Sequence, residues 1–481
     1  MTSQCLESGS AFPAAHLQAY RLRPLPRRVT TGSLFGGELH LKLLMATLFL
    51  PEGLSFFIGD FRLTVARAVL IILSIAATGR FFQRVNTSSL VCVPSDFIAM
   101  IAGIWMILAS LVTGGFMGLK GGGMMALEFT GTYYVFRYFL GPDDSSVRVI
   151  RVSCLLIILV IGVALLDPLS GKLFTYELVK DLTGYVKPTS ELNLNLGDTT
   201  ESLYRHGLIR AMGPLEHSIL FGTVCVWFGA LALCTFPSRL FGWSIAGVAF
   251  IGVLFSQSKG PLTAGFMAFA LAIFYCATKH FAARWKVLGL LAALGLTFIF
   301  FYSGNFVGTL MKLGGMDPSA SWYRQAIWSA AVPLVVQSPL FGVGLADQWD
   351  WQSHPMLSGP TVDTLWLRNA MMVGIPGSVL SFLTVVSAFW LGPIDTSRYL
   401  SREEKRLSVA LGIVITSAIY LGFIVHFWGT CWILLGAFPG MRANLAEAAI
   451  LRRRAARGLQ ARSHHKCHQS PSPRAVLRFL R

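Results

Sequence analysis

The chain is poor in charge. Charged residues fill 13% of its 481 positions and hydrophobic residues 54%, whereas a soluble chain carries about 25% charge. That balance excludes a large water-facing surface. Acid is scarcer than base, with 23 Asp+Glu against 40 Lys+Arg and a net charge of +17. Cysteine forms no framework: the 8 cysteines are scattered, mostly in apolar runs, with no CxxC pair, which argues against a disulfide scaffold or a zinc ribbon. The first 38 residues lack an apolar core followed by a small-residue cleavage site, so no cleavable signal is expected. Alternation of apolar and polar residues is also missing, which argues against a transmembrane β-barrel.

What is present is a series of apolar runs near 20 residues, each sufficient for a hydrocarbon core of about 30 Å. They predict an all-α polytopic membrane protein of about twelve spans. The runs lie near 39–58, 61–79, 96–114, 121–140, 149–166, 213–235, 239–257, 260–278, 286–303, 366–391, 407–425 and 427–440. The last two share one long apolar run, divided near His426 and Gly429. Residues 1–38 then form a basic N-terminal segment, 39–440 the membrane domain and 441–481 a basic tail expected to lack structure.

Positive charge alternates along the linkers. Arg80 and Arg84, Arg148 and Arg151, Arg239, Lys279 to Lys286, and Arg398 to Arg406 mark one side. Basic linkers stay cytoplasmic, so both termini are expected there. The long linkers near 167–212 and 304–365 then face outward, the larger one between the ninth and tenth helices. Arg452, Arg453, Arg454, Arg457, Arg462 and Lys466 in the tail suit anionic lipid better than nucleic acid. The run His464-His465-Lys466-Cys467-His468 reads as basic tail rather than a closed metal site.

Four polar constellations fall on the outer side. Arg210-Ala211-Met212-Gly213-Pro214-Leu215-Glu216-His217 opens a helix. Ser258-Lys259-Gly260 forms a short turn. Arg324 lies in an amphipathic piece from Trp322 to Val336, followed by Pro339-Leu340-Phe341-Gly342-Val343-Gly344. Asp363 precedes Trp366, Arg368 and Gly374-Ile375-Pro376-Gly377. Arg210, Lys259 and Arg324 give three cations near one surface, and guanidinium groups grip phosphate oxygens in pairs. Converging cations suit a diphosphate whose charge grows as it leaves a sugar. Asp363, His354 and His217 are candidate proton acceptors.

Plainer readings stand beside these. A lone Arg near a helix end commonly snorkels to headgroups. Gly342 and Gly344 fit a tight turn, and Trp349 and Trp351 fit interface anchors. Glu128 and Arg137, inside or at the end of a span, fit ion pairs between helices. Arg67 lies about one turn inside the second span, within reach of the outer surface. A transporter would place ionisable groups near the midplane and repeat its halves; here the polar groups gather in the outer loops. A non-catalytic scaffold has no use for the clustered cations.

The order of the pieces adds to this. Arg-x-x-Gly-Pro, Ser-Lys-Gly, Trp-x-Arg-x-x-x-x-Trp, Pro-x-x-Gly-x-Gly, Val-Asp-Thr-Leu-Trp-Leu and Gly-Ile-Pro-Gly follow one another over residues 210–380. This arrangement resembles the O-antigen ligase and polysaccharide polymerase family of bacterial membrane glycosyltransferases. The resemblance implies about twelve helices, a periplasmic loop over the active site, no metal and no cofactor. It implies a glycan on undecaprenyl diphosphate as substrate, transferred to lipid A core by ligases or to another lipid-linked repeat by polymerases. The location implied is the bacterial inner membrane, with room for a chain-length regulator or export partner.

Carried over by position, Arg210 and Arg324 would hold the diphosphate. Lys259 stands where the family usually has Arg, which keeps charge and loses the fork. Ser258, His217, His354, Trp322 and Trp366 would line the diphosphate and glycan site. Ligases tend to have His-Asn where this chain has Asp363-Thr364, and the Val-Asp-x-x-Trp-Leu form looks more like exopolysaccharide polymerases. Asp363 is then the expected base, with His354 and His217 as alternatives.

Overall fold

The computed structural model describes residues 37–185, 203–302, 309, 318–345, 362–391 and 396–468, except 60, 88, 142–144, 206, 279 and 282. The chain opens with α1 (Gly37–Thr47), a hairpin of β1 (Ser55–Ile58) and β2 (Phe61–Thr64), and α2 (Val65–Asn86). Next come α3 (Pro94–Ala126), a π-helical turn (Leu127–Gly131), α4 (Thr132–Phe139), α5 (Ser145–Ala164), α6 (Leu166–Ser170) and α7 (Phe174–Thr183). A second small hairpin, β3 (Tyr204–Arg205) and β4 (Leu208–Ile209), leads to α8 (Ser218–Thr235), α9 (Arg239–Phe255), α10 (Lys259–Ala277) and α11 (Arg284–Tyr302). The last helices are α12 (Pro318–Gln337), α13 (Leu365–Ser387), α14 (Arg402–Gly422) and α15 (Gly429–His468).

Among the described residues, eight helical stretches are long and apolar enough to cross a membrane. The chain is a multi-pass helical membrane protein. One stretch, Pro94–Phe139, cannot be a straight rod. Gly115 has φ 55° and ψ −144°, a conformation open to glycine, and there the chain reverses. Thr130 Oγ1 donates to the Ala99 carbonyl at 3.1 Å, and a Cβ at Gly118 would strike the Ser110 carbonyl. The two arms therefore run side by side, as the runs near 96–114 and 121–140 predict.

The first expected run, 39–58, needs correction. Its helix stops at Thr47, and residues from Ser55 pair with Phe61–Thr64 as a hairpin. Pro51 and Gly53 break the run, and Thr64 caps α2 by accepting from Arg67 N at 3.3 Å. The tail also differs. Residues 441–468 continue α15 as helix, because Ala, Arg and Leu dominate after Pro439 and all favour helix. The linker near 167–212 contains α6, α7 and the β3–β4 hairpin.

The central post is α8, buried along nearly its whole length, with α5, α9, α10 and α14 packed around it. α13 packs on α3, and α15 on α4. α13 bends sharply. Val373 and Gly374 leave helical geometry, with φ +77° at Gly374. Ser378 Oγ donates to the Trp366 carbonyl at 2.7 Å, whereas twelve residues of straight helix would separate them by about 18 Å. The Pro339–Gly344 turn fills the bend. Ile375 N donates to Pro339 O at 2.8 Å and Val343 N to Met371 O at 2.7 Å. Phe341 stacks on Trp105 at 5.5 Å, and Trp105 Nε1 donates to Val373 O at 2.9 Å. Gly342 and Gly344, with φ +76° and +97°, thus serve this packing.

The polar side chains inside the bundle gather at its two ends. At one end, buried Arg137 bonds Asp96 at 2.9 Å and also Glu447, which Arg84 meets at 3.1 Å. Arg452 pairs with Glu404 nearby on α14. The pairing of Arg137 between helices is the plainer of its two readings. At the other end lie the starts of α2, α8, α10, α13 and α15, joined by the bonds described next.

Candidate active site

The loop 210–217 is held from three sides. Buried Asp167 accepts from Met212 N at 3.0 Å and Gly213 N at 2.7 Å through Oδ2, and from Phe174 N at 3.0 Å through Oδ1. Ala211 N donates to Phe255 O at 2.9 Å, and Arg210 N to Leu203 O at 3.0 Å. A carboxylate taking three backbone N–H groups fixes a loop that has no regular structure of its own.

From this loop Arg210 reaches the turn between α9 and α10. Its Nε donates to Ser256 O at 3.2 Å and its Nη2 to Ser258 Oγ at 2.6 Å. Arg205 adds a second cation there, donating to Gln257 O at 2.9 Å. Gln257 holds φ +49°, a strained value for a residue with a Cβ. Ser258 is buried, and Lys259 follows as the exposed first residue of α10. Burial, with the Arg205 charge added, lowers the pKa of Arg210. Its guanidinium still keeps its charge, so a partly dehydrated cation is fixed at this surface.

The turn then meets the α14–α15 loop and the start of α13. Gly260 packs on Ile424 and Val425, and Val425 O accepts from Leu365 N at 3.2 Å. Asp363 is half-buried, two residues before α13. Arg210, Ser258, Lys259 and the Asp363 segment are therefore assembled at one end of the bundle.

Other expected residues divide. His217 caps α8, its Nδ1 accepting from Ile219 N at 3.1 Å, and its ring meets Trp428 at 5.9 Å. Trp366, an expected glycan contact, packs inward. It is buried, wedged on Gly422 and Phe382, and its Nε1 donates to Ile419 O at 3.4 Å. An apolar body with its N–H satisfied in the core is a packing residue. Trp322 and Arg324 have backbone in α12, but their side chains, like all of His354, lie outside the described residues. Arg67 pairs with Glu128 at 2.7 Å. Both line a cavity with Glu52, Glu216 and Thr430, at the end of the bundle that holds Arg210.

Sequence reasoning missed a further group. His426 stacks on Trp428 at 5.5 Å, in the loop from Phe423 to Trp428. Burial, then the Arg368 charge, holds its imidazole well below the usual range. Thr364 and Asn369 on α13 are fully buried. Among the described residues, Thr364 Oγ1, both Asn369 amide atoms and His426 Nδ1 have no hydrogen-bond partner. His426 is a single polar residue in an apolar run, which a hydropathy average conceals, whereas Thr364 and Asn369 stand beside the more conspicuous Asp363 and Arg368. Among the described residues no cluster of three His, Cys, Asp or Glu is placed to hold a metal.

This geometry can be set against known families. Residues 244–382 match the O-antigen ligase family. The matched segment runs from α9 into α13 and contains Ser258, Lys259, Arg324 and Asp363, while Arg210 and His426 lie outside it. The match supports the O-antigen ligase and polymerase family, whose members are membrane enzymes of glycan ligation or polymerisation. No curated protein matches the chain.

Proposed function

We propose that the chain polymerises lipid-linked oligosaccharide repeats into a surface polysaccharide at the periplasmic face of the inner membrane. The observation that carries this reading is the joining of Arg210 to Ser258, beside Lys259, with Val425 of the α14–α15 loop packed between Gly260 and the start of α13 next to Asp363. Fixed cations and the segment that carries a carboxylate share one end of the helical bundle. In this reading the bundle has twelve spans, counting both arms of the hairpin at Gly115, the shorter helices α1 and α9, and the apolar start of α15. Both termini are cytoplasmic, and the Arg210 end faces outward.

The donor is a glycan on undecaprenyl diphosphate. Asp363 takes the proton of an acceptor hydroxyl as its oxygen attacks the anomeric carbon. The bond from that carbon to the diphosphate oxygen breaks with inversion. Arg210 and Arg324, with Lys259, take up the charge of the leaving diphosphate. Such preorganised donors contribute about 3–4 kcal/mol each to a transition state. The chemistry asks for no metal. Replacing Arg210 or Arg324 by Ala should abolish polymer in a complemented deletion strain while the protein still reaches the membrane. Full-length polymer from both variants would overturn the reading.

The family match itself favours a second reading, ligation of glycan to lipid A core. Gel analysis of the deletion strain separates the two. Single repeats still attached mean a polymerase; polymer left on its lipid carrier with none attached means a ligase.

A further inference from the structure

The start of α13 and the α14–α15 loop share an unexplained property. Thr364, Asn369 and His426 each bury polar atoms with no hydrogen-bond partner among the described residues. They surround one bond, Leu365 N to Val425 O. Thr364 precedes Leu365, and His426 follows Val425. Asn369 stands four residues after Leu365, on the same helical face. Protein interiors seldom leave such atoms unpaired, and those that do call for an explanation.

The three groups also fit one kind of ligand. An amide offers two donors and an acceptor, a hydroxyl offers both, and an imidazole nitrogen offers either. None of the three carries a carboxylate, so neither an ammonium nor a metal is favoured. Vicinal hydroxyl groups, each donor and acceptor at once, match such a set. The His426 ring is held in place by stacking on Trp428, which meets the His217 ring on α8. The position is beside Asp363, where a sugar would have to lie.

We propose that Thr364, Asn369 and His426 form a sugar-hydroxyl subsite that orients a neutral glycan ring beside Asp363. This deepens the glycosyl-transfer reading and rests on it. The subsite is separate from Arg210, Lys259 and Arg324, which serve the diphosphate, while the Arg368 charge acts on His426. The ring belongs to the donor repeat or to the acceptor repeat, and the chemistry is the same for both.

Asn369→Leu is the informative variant. A buried amide serving only the fold, or holding only a trapped water, is replaced by Leu with equal or better stability. Activity would then be unchanged. A sugar-binding amide gives a variant that melts at or above the wild-type temperature but has a KM raised tenfold or more. The assay uses full-length protein in nanodiscs, the lipid-linked repeat as donor, and the free repeat oligosaccharide, which can only accept. A KM raised for the oligosaccharide alone places the subsite on the acceptor; one raised for the lipid-linked donor alone places it on the donor. Thr364→Val tests the same prediction if Asn369→Leu does not reach the membrane. Wild-type KM values in whichever variants fold overturn the subsite. If wild-type protein transfers and Arg210→Ala does not, that failure is the subsite's own. If wild-type protein transfers nothing, the enzymatic reading falls and takes the subsite with it.

Discussion

Arg210 Nη2 lies 2.6 Å from Ser258 Oγ, across 48 positions of sequence. The same guanidinium holds the Ser256 carbonyl at 3.2 Å, so two separate turns are fixed as one surface. Neither turn has regular structure at the contact. Their alignment depends on Arg210, on Asp167 behind it, and on the end of α9.

Arg210→Lys is therefore expected to lose more than a conservative change would suggest. Lysine keeps the charge but cannot hold two groups with one planar fork. We expect a fall in transfer rate of about 10²-fold or more, in the range for removing one transition-state donor. Ser258→Ala removes one partner and leaves the cation, so a fall of about tenfold is expected. Rates measured with purified protein check both. Equal rates in Arg210→Lys and wild type would remove Arg210 from the chemistry.

Asp363→Asn keeps shape and removes the proposed base. Loss of a general base costs about 10²–10⁴-fold in rate. Asp363→His restores a proton acceptor of the type ligases carry, and should recover part of that loss. The recovered activity should rise with pH through about 6.5, where an ordinary imidazole loses its proton. An Asp363→Asn protein with wild-type turnover would assign the proton to another group.

These residues also show where the sequence was legible. Arg210, Ser258, Lys259 and Asp363 stand in short motifs at the ends of apolar runs, and polarity interrupting hydropathy is easily read. The reversal at Gly115 was legible for the same reason, since two runs were visible on either side. The first run misled because Leu48 to Ile58 is apolar enough for lipid, yet the chain turns there and Ser55–Ile58 pairs as a hairpin with Phe61–Thr64. Gly374-Ile375-Pro376-Gly377 announced a break in α13 but not its angle. That angle is set by Leu340 and Phe341, which pack into it from a distant segment. His426 was hidden because one polar side chain barely alters the hydropathy of its run, and Asn369 because it stands beside the more conspicuous Arg368.

His426 makes a prediction about pH. Burial and the Arg368 charge place its folded pKa well below the unfolded value, which is about 6.5. The unfolded chain therefore binds this proton first as pH falls. Its contribution is neutral above about pH 6.5 and destabilising below it. Melting temperatures of wild type and His426→Asn should diverge between about pH 6.5 and 5, with the wild type falling faster. Parallel curves across that interval would show that His426 is not held neutral in the folded protein.

Gly374 carries the bend of α13, and its substitution separates scaffold from chemistry. Its φ is +77°, and an added Cβ would meet the Leu340 carbonyl. A β-branched side chain in that backbone region costs about 1–3 kcal/mol before any collision is counted. The collision would push the Pro339–Gly344 turn out of the bend and break the bonds from Ile375 N and Val343 N. Gly374→Val should therefore melt at a lower temperature than wild type and lose transfer, although residue 374 makes no polar contact of its own with the site. Gly79→Val is the control. It lies in α2, where an added Cβ meets nothing within 4 Å, and it should retain activity. If Gly374→Val transferred at the wild-type rate, the Asp363 end of α13 would be positioned independently of the bend. The short links through Val425 and Ile419 alone would then have to hold it.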